Sequence, residues 1–339
     1  MTPSELSADQ ALERAAEARI HTLRIPTPFA VGRVNTYLIE DDPLTLVDSG
    51  PNSGKSLDEL EHQLAERGHS IDDIELIVLT HQHIDHIGLV EIIVGHSGAE
   101  VAAIDKMVHF IEHFGEDAGK DDEFASQIML RNGIPEDVVQ ALRSVSAAFR
   151  SWGASAKITR PLRDGARLEF RERTLEVMHR PGHSPSDTVF WDEQRRILFA
   201  ADHLIKHISS NPLISRPLAE SPGQGRPKAL VTYLESLSKT RELPAEIVLP
   251  GHGDPITDHV ALIDERLEFH RRRAEKIYDL IVEQPRSGYE LAQALFGNVA
   301  VTQAYLTLSE VLGHVDLLLD DGRVSESERD GVVYFEKAP

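Results

Sequence analysis

Cysteine is absent from the 339 residues. That removes a disulfide framework and thiolate metal ligands together, so any metal must be held by imidazole and carboxylate. Long apolar runs are missing too: nothing approaches the roughly 18 consecutive residues that cross a bilayer. Basic residues are outnumbered, 35 Lys and Arg against 56 Asp and Glu, and the resulting formal charge of −21 disfavours nonspecific attraction to DNA, RNA or anionic lipid. A small anionic substrate is not excluded, because a bound dication reverses the local field. The chain has no P-loop, no GxGxxG, no GxSxG elbow and no RNA-binding aromatic signature. Its first twenty residues carry three Glu and one Asp and lack the apolar stretch of a secretory signal, which predicts a cytoplasmic protein.

A chain of this length buries one large core with a small appendage. Short strands are expected at His21–Ile25, Val34–Glu40 and Leu44–Asp48, then a helix carrying Leu57, Leu60 and Leu64 that stops near Gly68. The apolar run Ile74–Leu79 reads as a buried strand, and Ala99–Ile104 as another. Residues 106–152 look like a helical insertion over the site. Strands return at Arg167–Phe170, Thr174–His179, Thr188–Trp191 and Arg196–Ala200. A Pro-rich loop over 208–227 leads to a helix at Ala229–Leu237 and a last buried strand, Ile247–Leu249. Helices at Leu262–Val282, Tyr289–Phe296 and Ala304–Leu319 precede a hairpin over Arg323–Phe335 with Asp330-Gly331 at its turn, an order that suggests a winged helix.

Histidines concentrate where a strand ends. His81-Gln-His83-Ile-Asp85-His86 begins one residue after Thr80. On an extended turn His81 and His83 point to the same side and can grip one cation, while Asp85 and His86 reach a neighbouring one. His183, in Arg180-Pro-Gly-His-Ser184, is the candidate third ligand of the first cation. Asp202, in Ala200-Ala-Asp-His203, can bridge the two, and His252, in Pro250-Gly-His-Gly253, completes the second. The predicted cofactor is therefore two divalent ions, zinc first, with iron or manganese as alternatives.

These motifs, in this order and at strand ends, resemble the metallo-β-lactamase superfamily over residues 20–260. The resemblance implies an α/β fold, a four-layer αβ/βα sandwich, with the metals at one edge between two sheets. Asp48, in Val47-Asp-Ser-Gly50, matches the buried aspartate that organises the metal loops there. The C-terminal region resembles the small winged-helix domain of one subgroup, which includes a mitochondrial endoribonuclease. The implied division is residues 1–262 for the sandwich and 263–339 for the winged-helix-like domain. Residues 271–339 hold 8 Lys and Arg against 12 Asp and Glu, which argues against a DNA grip and for a wall of the cleft or a homo-oligomer contact. Two departures stand out: Ile84 where the family often has Ala, Ser or Pro, and Ala201 where Gly is frequent. Neither contributes a ligand atom, so both are expected to alter packing alone.

His96, His109, His113, His207 and His259 lack such a framework and stay outside the ligand set. Phe110, Phe114 and Phe124 read as core before they read as a substrate pocket, and Arg271–Arg273 as a solvated helix face. The expected chemistry is that of a binuclear metallo-hydrolase: attack by metal-bound hydroxide, oriented by Asp85, on a thioester or ester of a small molecule. An endoribonuclease of the same fold and a mononuclear iron oxygenase such as a persulfide dioxygenase are the alternatives. A lactonase commonly places Tyr shortly after the bridging Asp, where this chain has Leu204, Ile205 and Lys206. β-Lactamase activity fits least, with no export signal read.

Overall fold

In the buried run Leu76–Leu79, alternate side chains serve different cores: Leu76 and Val78 face a second sheet, while Ile77 and Leu79 face helices. Strands covered on both sides in this way require layers above and below. The computed structural model describes residues 6–218 and 225–339 and supplies those layers.

One sheet has six strands in chain order: Ile20–Ile25, Val34–Ile39, Thr45–Val47, Leu76–Val78, Glu100–Ile104 and Arg160–Leu162. Its first three pair antiparallel and the rest parallel. The other sheet runs Ile247–Pro250, Ile197–Ala201, Thr188–Asp192, Thr174–His179, Arg167–Glu169, and only its Ile247–Pro250 edge is parallel to its neighbour. Val47, Val78 and Ala102 of the first sheet pack against Val177, Phe190 and Leu249 of the second. Leu60, Leu64, Val90 and Ile93 cover the far face of the first sheet, and Leu230, Tyr233, Leu237 and Ile263 that of the second. The result is helix, sheet, sheet, helix.

Several elements escaped the sequence pattern, among them helix Val90–Ser97, helix Val299–Thr302 and strand Arg286–Ser287, and two of the others have a clear physical reason. Helix Ala8–Glu17 opens on a reciprocal capping box between Ser7 and Gln10 and buries Ala11 and Ala15 between the sheets. Its apolar face consists of alanines, too weak a stripe to read as core. Strand Arg160–Leu162 contains Pro161, which demotes a strand reading, yet it lies at the sheet edge, where the missing N–H costs no ladder bond.

Residues 106–152 are helical as expected, with Val108–Glu112, Phe114–Arg131 and Glu136–Phe149. Met129, Ile134 and Val139 of this insertion share one core with Ile277, Leu308, Leu312 and Phe335 from the chain's last third. Segments remote in sequence thus form one packed body. Helix His259–Glu283 passes unbroken through residue 262: Ile263 packs with the second sheet's helices, and Ile277 and Ile281 with the C-terminal core. Beyond it come Arg286–Ser287, helices Gly288–Phe296, Val299–Thr302 and Ala304–Asp320, and the hairpin Val324–Arg329 with Val332–Lys337. Asp330 and Gly331 have φ of 51° and 80°, as a two-residue turn joining twisted strands demands. Among the described residues no helix is long and apolar enough to cross a membrane.

Candidate metal centre

All seven proposed ligands follow the carboxyl ends of strands. His81 and His83 come just after Leu76–Val78, and Asp85 and His86 sit on the short helix Ile84–Ile87. His183 lies in the loop after Thr174–His179, Asp202 directly after Ile197–Ala201, and His252 after Ile247–Pro250. The fold gathers them into two adjoining groups: His81, His83, His183 and Asp202 in one, Asp85, His86 and His252 in the other. In the first, His83 Nδ1 lies 3.1 Å from His81 Nε2 and 2.9 Å from His183 Nε2. In the second, His252 Nε2 lies 3.4 Å from Asp85 Oδ2. Asp202 reaches both groups: Oδ2 is 3.6 Å from His183 Nε2 and 3.5 Å from His252 Nε2, and Oδ1 is 3.6 Å from His86 Nε2.

The donor atoms fit divalent cations. Ligand nitrogens bound at about 2.0–2.1 Å to one tetrahedral ion stand about 3.3 Å apart, close to the spacings here. His86 Nε2, His252 Nε2 and Asp202 Oδ1 are buried with no hydrogen-bond partner, a state that costs about 1–3 kcal/mol for each group and that a shared cation would relieve. Burial, then the neighbouring His183, pushes His83 down to about 3, and burial holds His81 well below its usual value, so these rings are neutral donors. Burial also opposes charge on His86 and His252, but carboxylates outweigh it. Asp48, Asp202 and Asp85 hold His86 well above its usual value, and Asp202 with Asp85 lifts His252 to about 10. Conversely, burial is overcome at Asp202, which His252 and His86 keep well below the usual carboxylate range. The raised values of His86 and His252 favour protons there that offset the carboxylates of Asp85 and Asp202.

Surrounding residues fix the ligands. Asp48, at a left-handed φ of 60°, accepts from Thr80 N at 2.9 Å, Thr80 Oγ1 at 2.7 Å and His86 Nδ1 at 2.7 Å. Several supports were not singled out from the sequence. Asn35 donates from Nδ2 to the carbonyls of Pro250 and Gly253, Tyr37 donates to Pro250, and together they clamp the His252 loop. Their signal was polarity in a strand buried throughout, Val34–Ile39. Asp187 accepts from Ser184 N and Oγ beside His183, and burial raises its pKa to about 6. Ser186 hydrogen bonds Gln82 and ties the His183 loop to the first histidine loop. A Cβ on Gly251 would stand 2.1 Å from Asp202 Oδ1, so glycine is needed for this close approach. Ala201 has a φ of 44°, a conformation that favours glycine; the departure expected to affect packing alone is a backbone one.

The remaining histidines lie elsewhere. His96 and the neighbouring pair His109 and His113 are exposed, and His259 is buried against the Leu243 carbonyl. His207 rests on Gly253, beside the His252 loop but outside both ligand groups. Phe110, Phe114 and Phe124 all line a cavity of about 550 Å³ that opens from the metal centre, and Phe110 and Phe114 belong to the core as well.

The profile of the metallo-beta-lactamase superfamily matches residues 30–252. Over 319 residues the chain is 34% identical to "Probable metallo-hydrolase YqjP" of Bacillus subtilis (strain 168), covering 92% of this chain and 96% of the relative. With its fold and donor set, the chain belongs to the metallo-beta-lactamase superfamily and is a metallo-hydrolase of that group. A more distant relative, 22% identical over 303 residues and spanning 88% of this chain and 78% of its own, is "Atrochrysone carboxyl ACP thioesterase" of Emericella nidulans. Among solved structures, a metallo-beta-lactamase family protein from Thermus thermophilus is 27% identical with a TM-score of 0.78, covering 94% of this chain and 98% of that one. A beta-lactamase domain protein from Burkholderia ambifaria shares the fold at 24% identity and a TM-score of 0.80, covering 94% of this chain and 92% of that one. Coverage of this extent includes the insertion and the C-terminal body.

Proposed function

We propose that this chain is a binuclear metal-dependent hydrolase that cleaves an ester-like bond, thioester or oxygen ester, in a small molecule. One observation carries the reading: His83, Asp85, His183, Asp202 and His252 form the floor of a cavity whose walls are largely apolar. His81, His83, His183 and Asp202 would hold one divalent cation and Asp85, His86, His252 and Asp202 the other, zinc being the first choice and iron or manganese the alternatives; bound there, they would supply Lewis acidity and a water that ionises near neutrality. Asp85 faces the cavity with Oδ2 toward His252, which leaves Oδ1 to take the proton of the attacking water and return it to the departing sulfur or oxygen. The apolar walls keep bulk water from the reacting carbonyl. A side-chain nucleophile is unnecessary.

We read residues 263–339 as a winged-helix-like domain, supported by the order of strand, helices and hairpin, that serves as a cavity wall through Tyr305 and Leu306. An RNA substrate fits less well, since Arg150 and Arg216 of the wall are engaged by Asp122 and by Asp117 and Asp121. The thioesterase named among the relatives agrees with an acyl substrate. Elemental analysis of purified protein should find two zinc per chain, and a panel of acyl thioesters, esters and lactones should show turnover that chelation abolishes and metal restores. One iron per chain with oxygen consumption would replace this reading by an oxygenase; no metal-dependent turnover anywhere on the panel would sink it.

A further inference from the structure

The cavity continues past the metal ligands into a chamber walled by three separate segments: the insertion (Phe110, Phe114, Phe124), the loop carrying Ile214, and Tyr305 from helix Ala304–Asp320. Charge is present in this wall but matched. Arg150 pairs with Asp122, and Arg216 lies 2.7 Å from Asp121 and 3.2 Å from Asp117. At the lining's edge three large hydrophobics are unusually open to solvent: Phe149 at 38%, Ile208 at 39% and Leu306 at 43%. Exposed apolar side chains that cluster on one opening mark a binding mouth, whereas scattered ones mark nothing.

We infer that the acyl half of the substrate is an uncharged apolar chain, which enters past Phe149, Ile208 and Leu306 and lies between the insertion and helix Ala304–Asp320 with its carbonyl over the metal ligands. The inference rests on the ester-hydrolysis reading above. Apolar walls reward each buried methylene, while an anionic tail would lose its hydration beside a wall whose two cations, Arg150 and Arg216, already face the three carboxylates of Asp122, Asp121 and Asp117. Nothing on the leaving-group side is specified by this chamber, so the selectivity resides in the acid released.

The test is a series of N-acetylcysteamine thioesters from acetyl to dodecanoyl, assayed with the metal-loaded full chain. kcat/KM should rise about fourfold per methylene until the chamber is filled, and an acyl chain ending in a carboxylate should fall about a hundredfold or more below its methyl-ended counterpart. Ala118 lines the chamber and is half-buried on helix Phe114–Arg131. Ala118→Phe should move the optimum to shorter chains, and Phe149→Ala, at the open rim, should flatten the rise for long chains. Turnover without dependence on length, or a preference for the charged tail, overturns the inference while leaving ester hydrolysis intact. Calorimetry with dodecanoate and acetate decides it independently of turnover. Dodecanoate binding that Ala118→Phe weakens supports the chamber even if the hydrolysis reading fails, and equal, weak binding of both acids overturns it.

Discussion

At the metal end of the cavity almost every side chain is tied by directed bonds: Asp48 alone holds Thr80 twice and His86 once, and the His252 loop hangs from Asn35 and Tyr37. At the far end, Phe124 is held mainly by apolar contact and Tyr305 by one hydrogen bond to the Ile214 carbonyl. The metal end comes from strand termini of two sheets and the far end from segments inserted or appended to them. Chemistry at cations tolerates displacements of only about 0.5 Å, whereas apolar recognition needs shape and dryness, which many side chains supply. The first region is therefore sensitive to single atoms and the second to volume.

The largest effect should come from an isosteric change at the metal end. Asp85→Asn keeps the shape but removes the proton acceptor, and kcat should fall about 10²–10⁴-fold, measured with metal content determined in the same sample. A drop of that size from Phe149→Ala, at the far end, would erase the distinction between the two regions. Gly251→Ala comes next. Its Cβ would stand 2.1 Å from Asp202 Oδ1, so Asp202 must shift, and metal affinity should weaken about 10- to 100-fold with the fold retained. Competition with a chelator of known affinity measures this, and unchanged affinity would show that the carboxylate position is less constrained than the geometry indicates.

A third expectation concerns the body behind the far end. His270 and His314 face each other across two helices, His270 Nδ1 lying 3.1 Å from His314 Nε2, and both are buried. Burial, aided by Arg266 and Arg273, lowers His270 to about 4; burial and His270 lower His314 to about 3. Above the ordinary histidine value of about 6.5, neither native nor unfolded chain binds these protons and the pair costs nothing. Below it the unfolded chain is protonated first, so stability falls with pH by at most about 1.4 kcal/mol per unit for each histidine, until the native values are reached. Denaturant unfolding between neutral pH and pH of about 4.5 should show a shallower acid slope for the double variant His270→Gln, His314→Gln. Identical slopes would place the acid sensitivity in the metal loops instead.

The same contrast governs what could be read from sequence. Metal chemistry requires particular atoms, so His81, His83, Asp85, His86, His183, Asp202 and His252 stood out by type and spacing, and strand ends were visible because Leu76–Leu79 and Ile247–Leu249 are buried on both faces. The chamber was hard to read because an apolar residue looks alike in a core and in a pocket. Phe110 and Phe114 serve as both, and nothing local to Tyr305 announces that it meets Phe124 across a cavity. Clamps such as Asn35 and Asp187 were missed for a related reason: their partners, Pro250 and Ser184, are backbone or hydroxyl groups with no spacing rule.

At Ala201 the residue type is visible in the sequence and its backbone role is not. It precedes Asp202 with a φ of 44°, and its carbonyl accepts from Gly251 N at 2.8 Å, so the strained peptide supports the loop that carries His252 as well. A non-glycine residue held there stores about 1 kcal/mol or more, partly offset in any exchange by the greater freedom that glycine has when unfolded. Ala201→Gly should therefore stabilise the chain modestly, by about 0.5–1 kcal/mol, with hydrolysis and metal content unchanged, as thermal unfolding of the metal-loaded protein would register. Destabilisation would mean that the methyl group's packing, with Ala201 only 6% exposed, outweighs the backbone strain. In that case even this position of the metal end obeys the volume rule of the far end.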